Sequence, residues 1–157
     1  MDTQFLYYKK YNSYVAPIDY VNWAFKMLEN ELSSPSLNIL ASLREPFNIF
    51  EVERYFENAM FELKLPEPSH KESAEGYVQY LMQQIILGNG NVIDTAYEVY
   101  KILQEYLDYD DEKLIVWYRI SEMIDDFYYG DNVNNITEAF LLNVIIREAN
   151  VQLEKGY

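Results

Sequence analysis

The chain has 157 residues, half of them apolar, and carries 26 acidic against 12 basic side chains for a formal charge of −14. It contains no cysteine, which removes disulfides, thiolate metal sites and cysteine nucleophiles together, and its negative field repels nucleic acid and anionic membranes. The length suits one domain with a real core, and five Gly and five Pro are too few for a disordered or fibrous chain.

Residues 1–17, MDTQFLYYKKYNSYVAP, are rich in Tyr and show no clean period, so they read as an irregular arm or short helix draped on the body. They contain no apolar run of signal-peptide length, and a cytoplasmic protein is the expectation. From Ile18 to Leu32 the spacing of Val21, Ala24, Phe25, Leu28 and Leu32 is helical, with Trp23 and Met27 widening the stripe. Ser34 before Pro35 opens a short helix to about Leu43, an N-cap followed by proline at the first helical position.

The stretch Pro46 to Leu65 specifies its own structure most fully. Asn48 and Glu51 have capping-box spacing, Phe47 and Val52 stand where a hydrophobic staple would close, and Pro66 ends the helix. Ile49, Val52, Phe56, Ala59, Met60 and Leu63 form its core line. Phe50 and Phe61 lie three turns apart on a second stripe beside Arg54 and Glu57, and they need a cover. The plainer expectation is that the Tyr-rich arm or a neighbouring helix supplies it; the functional one makes Phe50, Arg54 and Phe61 anchors for a partner.

LPEPSHKES, residues 65–73, is an interhelical loop holding the single histidine, His70, which reads as a solvated loop residue. Ser69 with Glu72, or Ser73 a turn later, caps a helix to Leu87, and Gly88 supplies a left-handed exit. Gly88 and Gly90 make no phosphate cradle, because neither a preceding strand nor a following Lys-Ser/Thr is present. Asn91 caps the next helix, with Ile93, Ala96, Tyr100, Leu103 and Leu107 on one side.

DYDDE, residues 108–112, puts negative charge at a helix start, where it is stabilising. Asp108, Asp110 and Glu112 alternate like a calcium loop, but the positions for the turn glycine and the bidentate carboxylate hold Lys113 and Arg119. The helix that follows carries Leu114, Trp117, Ile120 or Ser121, Ile124 and Phe127, ends at Gly130, and bears Asp125 and Asp126. Asn135 with Glu138 marks a last helix to about Leu153, whose Leu141, Leu142, Val144, Ile145 and Ile146 cover most of its circumference. Asn135-Ile136-Thr137 also matches a glycosylation acceptor, which the cap reading displaces.

The fold expected is all-α, a single-domain bundle or orthogonal array of six to seven helices over residues 1–157. Charge is uneven: residues 1–65 carry −3, residues 66–107 carry −4 and residues 108–157 carry −7. No enzyme signature stands out, and no cofactor or metal site is assigned. The first functional expectation is therefore an acidic interaction protein for a basic protein partner, of the immunity or antitoxin type, using Asp110, Asp111, Asp125 and Asp126 for steering and aromatic anchors for docking. One alternative is a helical enzyme or small-ligand protein with carboxylates, and a magnesium ion, in a Tyr-lined pocket. The other is a homo-oligomeric structural protein that buries Phe50 and Phe61 between copies.

Overall fold

A computed structural model describes residues 1–156 and is all-helical, with eight helices among them. They are α1 (Thr3–Tyr11), α2 (Pro17–Glu29), α3 (Pro35–Ser42), α4 (Ile49–Glu62), α5 (His70–Leu87), α6 (Val92–Tyr106), α7 (Glu112–Tyr129) and α8 (Glu138–Lys155). The chain divides into two compact units, Met1–Gly76 and the residues from Tyr77 onward, with the boundary inside α5.

In the first unit α2, α3 and α4 pack on one another and α1 packs on α2. The ring of Phe56 lies at the middle of its core, 4.8 Å from Trp23, 5.0 Å from Tyr20 and 5.8 Å from Tyr7 between centroids. The caps read from the sequence form. Ser34 Oγ accepts the Leu37 N–H at 3.2 Å. Asn48 Oδ1 accepts those of Phe50 and Glu51 at 3.0 and 3.4 Å, although the Glu51 carboxylate does not complete the return bond.

Two readings are sharpened here. Of the irregular arm or short helix expected for residues 1–17, the short helix forms over Thr3–Tyr11 and the irregular arm does not, and this helix accounts for the count of eight against the six or seven expected. α1 has no clean period since it buries only Leu6 and Tyr7; it is tied down by side chains that pair only after folding. Trp23 Nε1 donates to Thr3 Oγ1 at 3.0 Å, and the Lys9 ammonium meets Asp19 Oδ1 at 2.8 Å. The core line of α2 is Tyr20, Trp23, Ala24 and Met27 with Val21, while Phe25, about 140° away on the helical wheel, is exposed.

In the second unit α6, α7 and α8 pack pairwise around an aliphatic core with Trp117 inside it. The indole N–H of Trp117 donates to Gln152 Oε1 at 3.1 Å, so a buried donor and a buried amide satisfy each other. Asn91 Oδ1 accepts the Ile93 and Asp94 N–H groups at 3.1 and 3.2 Å, and Gly88 turns out of α5 at φ 68°. α8 starts two residues later than its expected cap. Thr137 Oγ1 accepts the Phe140 N–H at 3.2 Å, whereas Asn135 sits at φ 49° in a turn held by Asn132, whose amide both accepts from and donates to Ile136. The helix also buries a single line, Leu141, Ile145, Ala149 and Gln152, rather than most of its circumference; Leu142, Val144 and Ile146 are half-buried beside it.

Candidate partner-binding site

A cleft of about 810 Å³ opens between α6 and α7. Its α6 wall follows from periodicity. Burial of Ile93, Ala96, Val99 and Leu103 turns Asp94, Tyr97, Glu98 and Lys101, which recur at steps of three and four, toward the cleft. On α7 the buried line through Leu114, Trp117, Ser121 and Ile124 leaves Asp125, Tyr128 and Tyr129 on the facing wall. Three carboxylates, three phenols and one ammonium group therefore share the opening.

Hydrogen bonds hold two of the carboxylates. Tyr97 donates its hydroxyl to Asp125 Oδ2 at 3.3 Å, and Tyr77 donates to Glu98 Oε1 at 2.9 Å. The Lys101 ammonium lies 5.2 Å from the centroid of the Tyr97 ring, a cation–π distance. Desolvation raises the Tyr97 phenol above its ordinary value, and the charge of Asp125 and its hydrogen bond push the same way. The Tyr97 hydroxyl thus stays a neutral donor through neutral pH. Asp94, Glu98, Asp125, Tyr128 and Tyr129 all remain exposed, so the wall is open to an incoming surface.

A second, smaller cleft of about 360 Å³ is lined by Tyr100, Tyr109 and Tyr118 with Leu114 and Ile115, and no carboxylate lines it. Tyrosines and carboxylates therefore share the lining of the larger cleft but not of this one, which lies toward the loop that joins α6 to α7.

The residues singled out from the sequence fall in four places. Asp125 enters the large cleft, while Asp126, one residue and about 100° further round, lines a different shallow groove with Arg119 and Glu122. Asp110 and Asp111 stand at the other end of α7, roughly 20 Å away at 1.5 Å per residue. Asp111 is the N-cap, its Oδ1 accepting the Lys113 N–H at 2.9 Å. Phe50, Arg54 and Phe61 belong to α4 in the first unit, and the cover expected for the two rings is not there. Phe50 is 80% and Phe61 86% exposed, because their stripe is centred about 145° from the core line of the helix.

His70 is not a loop residue. It opens α5 after a reciprocal cap in which Ser69 Oγ accepts the Glu72 N–H and Glu72 Oε2 accepts that of Ser69, and Ser73, fully buried, takes no part. Its imidazole stacks on Tyr11 at 3.9 Å and 17°, and the Tyr11 hydroxyl lies within donating distance of both Glu67 and the Pro68 carbonyl.

Among the described residues no group of three or more His, Asp or Glu side chains could hold a metal ion, and no helix is long and apolar enough to cross a membrane. The sequence reading missed Asp94, Tyr97, Glu98, Tyr128 and Tyr129. A signal was present in the three-and-four spacing of Asp94, Tyr97, Glu98 and Lys101, but the wall that makes them a site comes from another helix. No protein-family model, no curated protein and no solved structure matches the chain, so the site rests on its own geometry.

Proposed function

We propose that this protein binds a basic protein partner through the cleft between α6 and α7. The observation that carries the reading is the convergence of Asp94, Glu98 and Asp125 with Tyr97, Tyr128 and Tyr129 on one open concavity. Exposed carboxylates attract a cationic surface over distance and accept guanidinium bonds on contact, and phenol rings supply rigid area and cation–π faces. Lys101 above Tyr97 already realises one such cation–ring contact, and an arginine of the partner would extend it to Tyr128 and Tyr129. The residues from Tyr77 onward carry 14 acidic and 5 basic groups, a net −9, so the cleft lies in the more negative part of the chain. In its sharpest form the partner is a cationic toxin that this chain neutralises.

The test is the association rate with a basic protein isolated on the wild type at low salt. D94N/E98Q/D125N is expected to slow association by about tenfold or more and to flatten its salt dependence. An association rate and salt slope unchanged in that variant would refute the reading. A second reading keeps the same walls but takes a small cation as the ligand, because carboxylates and tyrosines do share this cleft. It predicts saturable heat on titration with free arginine or spermidine, removed by the same substitutions.

A further inference from the structure

The exposed stripe of α4 is self-complementary. Its four members are Phe50, Arg54, Glu57 and Phe61, all on the solvent face and within about 60° of one another on the wheel. Their numbers are symmetric about the midpoint between Tyr55 and Phe56: phenylalanine at each end, arginine and glutamate equidistant from the centre. Two such helices laid antiparallel across a two-fold axis at that midpoint set Phe50 of each copy against Phe61 of the other. The same axis sets Arg54 of each against Glu57 of the other, so one geometry satisfies two ring contacts and two ion pairs. A parallel pairing would oppose like charges instead.

We infer that the protein forms a two-fold homodimer through α4, with Phe50, Arg54, Glu57 and Phe61 at its centre. This is a different surface from the cleft between α6 and α7 and does not depend on the function proposed for that cleft. Self-complementarity favours a second copy as the occupant, since one arginine and one glutamate placed symmetrically about the midpoint make the stripe neutral and match it to itself. Neither Arg54 nor Glu57 is within ion-pair distance of an opposite charge inside the chain, among the described residues. The Arg54 guanidinium carbon lies 5.1 Å from the ring centroid of its neighbour Tyr55, and a guanidinium on an exposed face can take a carboxylate in bidentate fashion. Four phenylalanine rings, at roughly 150 to 250 Å² each when buried, supply about 600 to 1,000 Å². With the two charge pairs this approaches the lower end of specific interfaces, about 1,200 Å². An interface of that size belongs with weak, reversible associations, whose strength is set by packing and charge rather than by area.

Sedimentation equilibrium of the full chain across a concentration series is the test. Wild type is expected to pass from monomer to dimer, and F50S/F61S to stay monomeric with an unchanged melting midpoint, because both side chains are exposed. R54E and E57R should each weaken the dimer by about tenfold or more, since each sets like charges across the axis. The swap R54E/E57R should recover wild-type association, and an equimolar mixture of R54E and E57R should form a heterodimer tighter than either homodimer. Wild type that stays monomeric to roughly millimolar concentration would overturn the inference. So would a dimer indifferent to the single charge changes, or a double swap as weak as the singles.

Discussion

The two units spend their tyrosines in opposite ways. In the residues up to Gly76, Tyr7 and Tyr20 are core residues, 4% and 0% exposed, with rings against Phe56. From Tyr77 onward no described tyrosine is buried; Tyr109 and Tyr129 stand almost wholly in solvent and Tyr118 and Tyr128 nearly half so. The difference lies in what else is available to fill the interior. The first core is built around aromatic rings, which accept phenols as neighbours provided each hydroxyl finds an acceptor, as Tyr20 finds Glu53 at 3.1 Å. The second is closed by Ile, Leu and Val around one Trp, and its phenols are left to the surface, where they meet Asp125, Glu98 and Glu122. One residue type is structural material in one unit and recognition surface in the other, so its abundance alone says nothing about function.

The comparison breaks most visibly at Phe56. Phe56→Ala removes the ring that Tyr7, Tyr20 and Trp23 share and is expected to cost about 3–5 kcal/mol of stability in urea titration. A loss below 1 kcal/mol, small for any truncation of a buried ring, would show that these contacts do not organise the core.

A milder probe is alkaline pH. Burial, and then the charge of Glu67, push the Tyr7 phenol up to about 12, and burial with the charge of Glu53 raises Tyr20 further. Both folded values lie above the unfolded one of about 10. Their stabilising effect is complete below pH 10 and disappears as pH rises from there through the folded values. The thermal midpoint should therefore begin to fall near pH 10. Replacing both by Phe should flatten that limb, and an alkaline limb that survives the replacement would assign it to other phenols.

The smallest effect on stability belongs to the cleft. Tyr128→Ser with Tyr129→Ser is expected to change folding stability by less than about 0.5 kcal/mol while weakening partner binding, since both rings are exposed. Destabilisation comparable to that of Phe56→Ala would mean that the surface tyrosines are structural after all.

Much of the helical order could be read from residues close together in the chain. Asn48, Ser34, Asn91 and the Ser69–Glu72 pair cap where their spacing says they should, because a cap is a bond to a backbone group two or three residues away. Local rules falter where two local solutions compete. Asn135 and Thr137 are both competent caps, and the turn held by Asn132 gives the helix to Thr137. They also falter where the restraint is distant, as in α1, which is held through Thr3 and Lys9 by partners on α2.

Helix class, most helix starts and the strength of the charge were thus already present in the linear order of residues. Folding alone settled which side chains meet. It left Phe50 and Phe61 uncovered, parted Asp125 from Asp126, and set Asp94, Tyr97 and Glu98 opposite Tyr128 and Tyr129. The reason is one of range: capping bonds and helical periodicity act over three or four residues, whereas a cleft wall depends on how helices some 30 residues apart in sequence pack against each other.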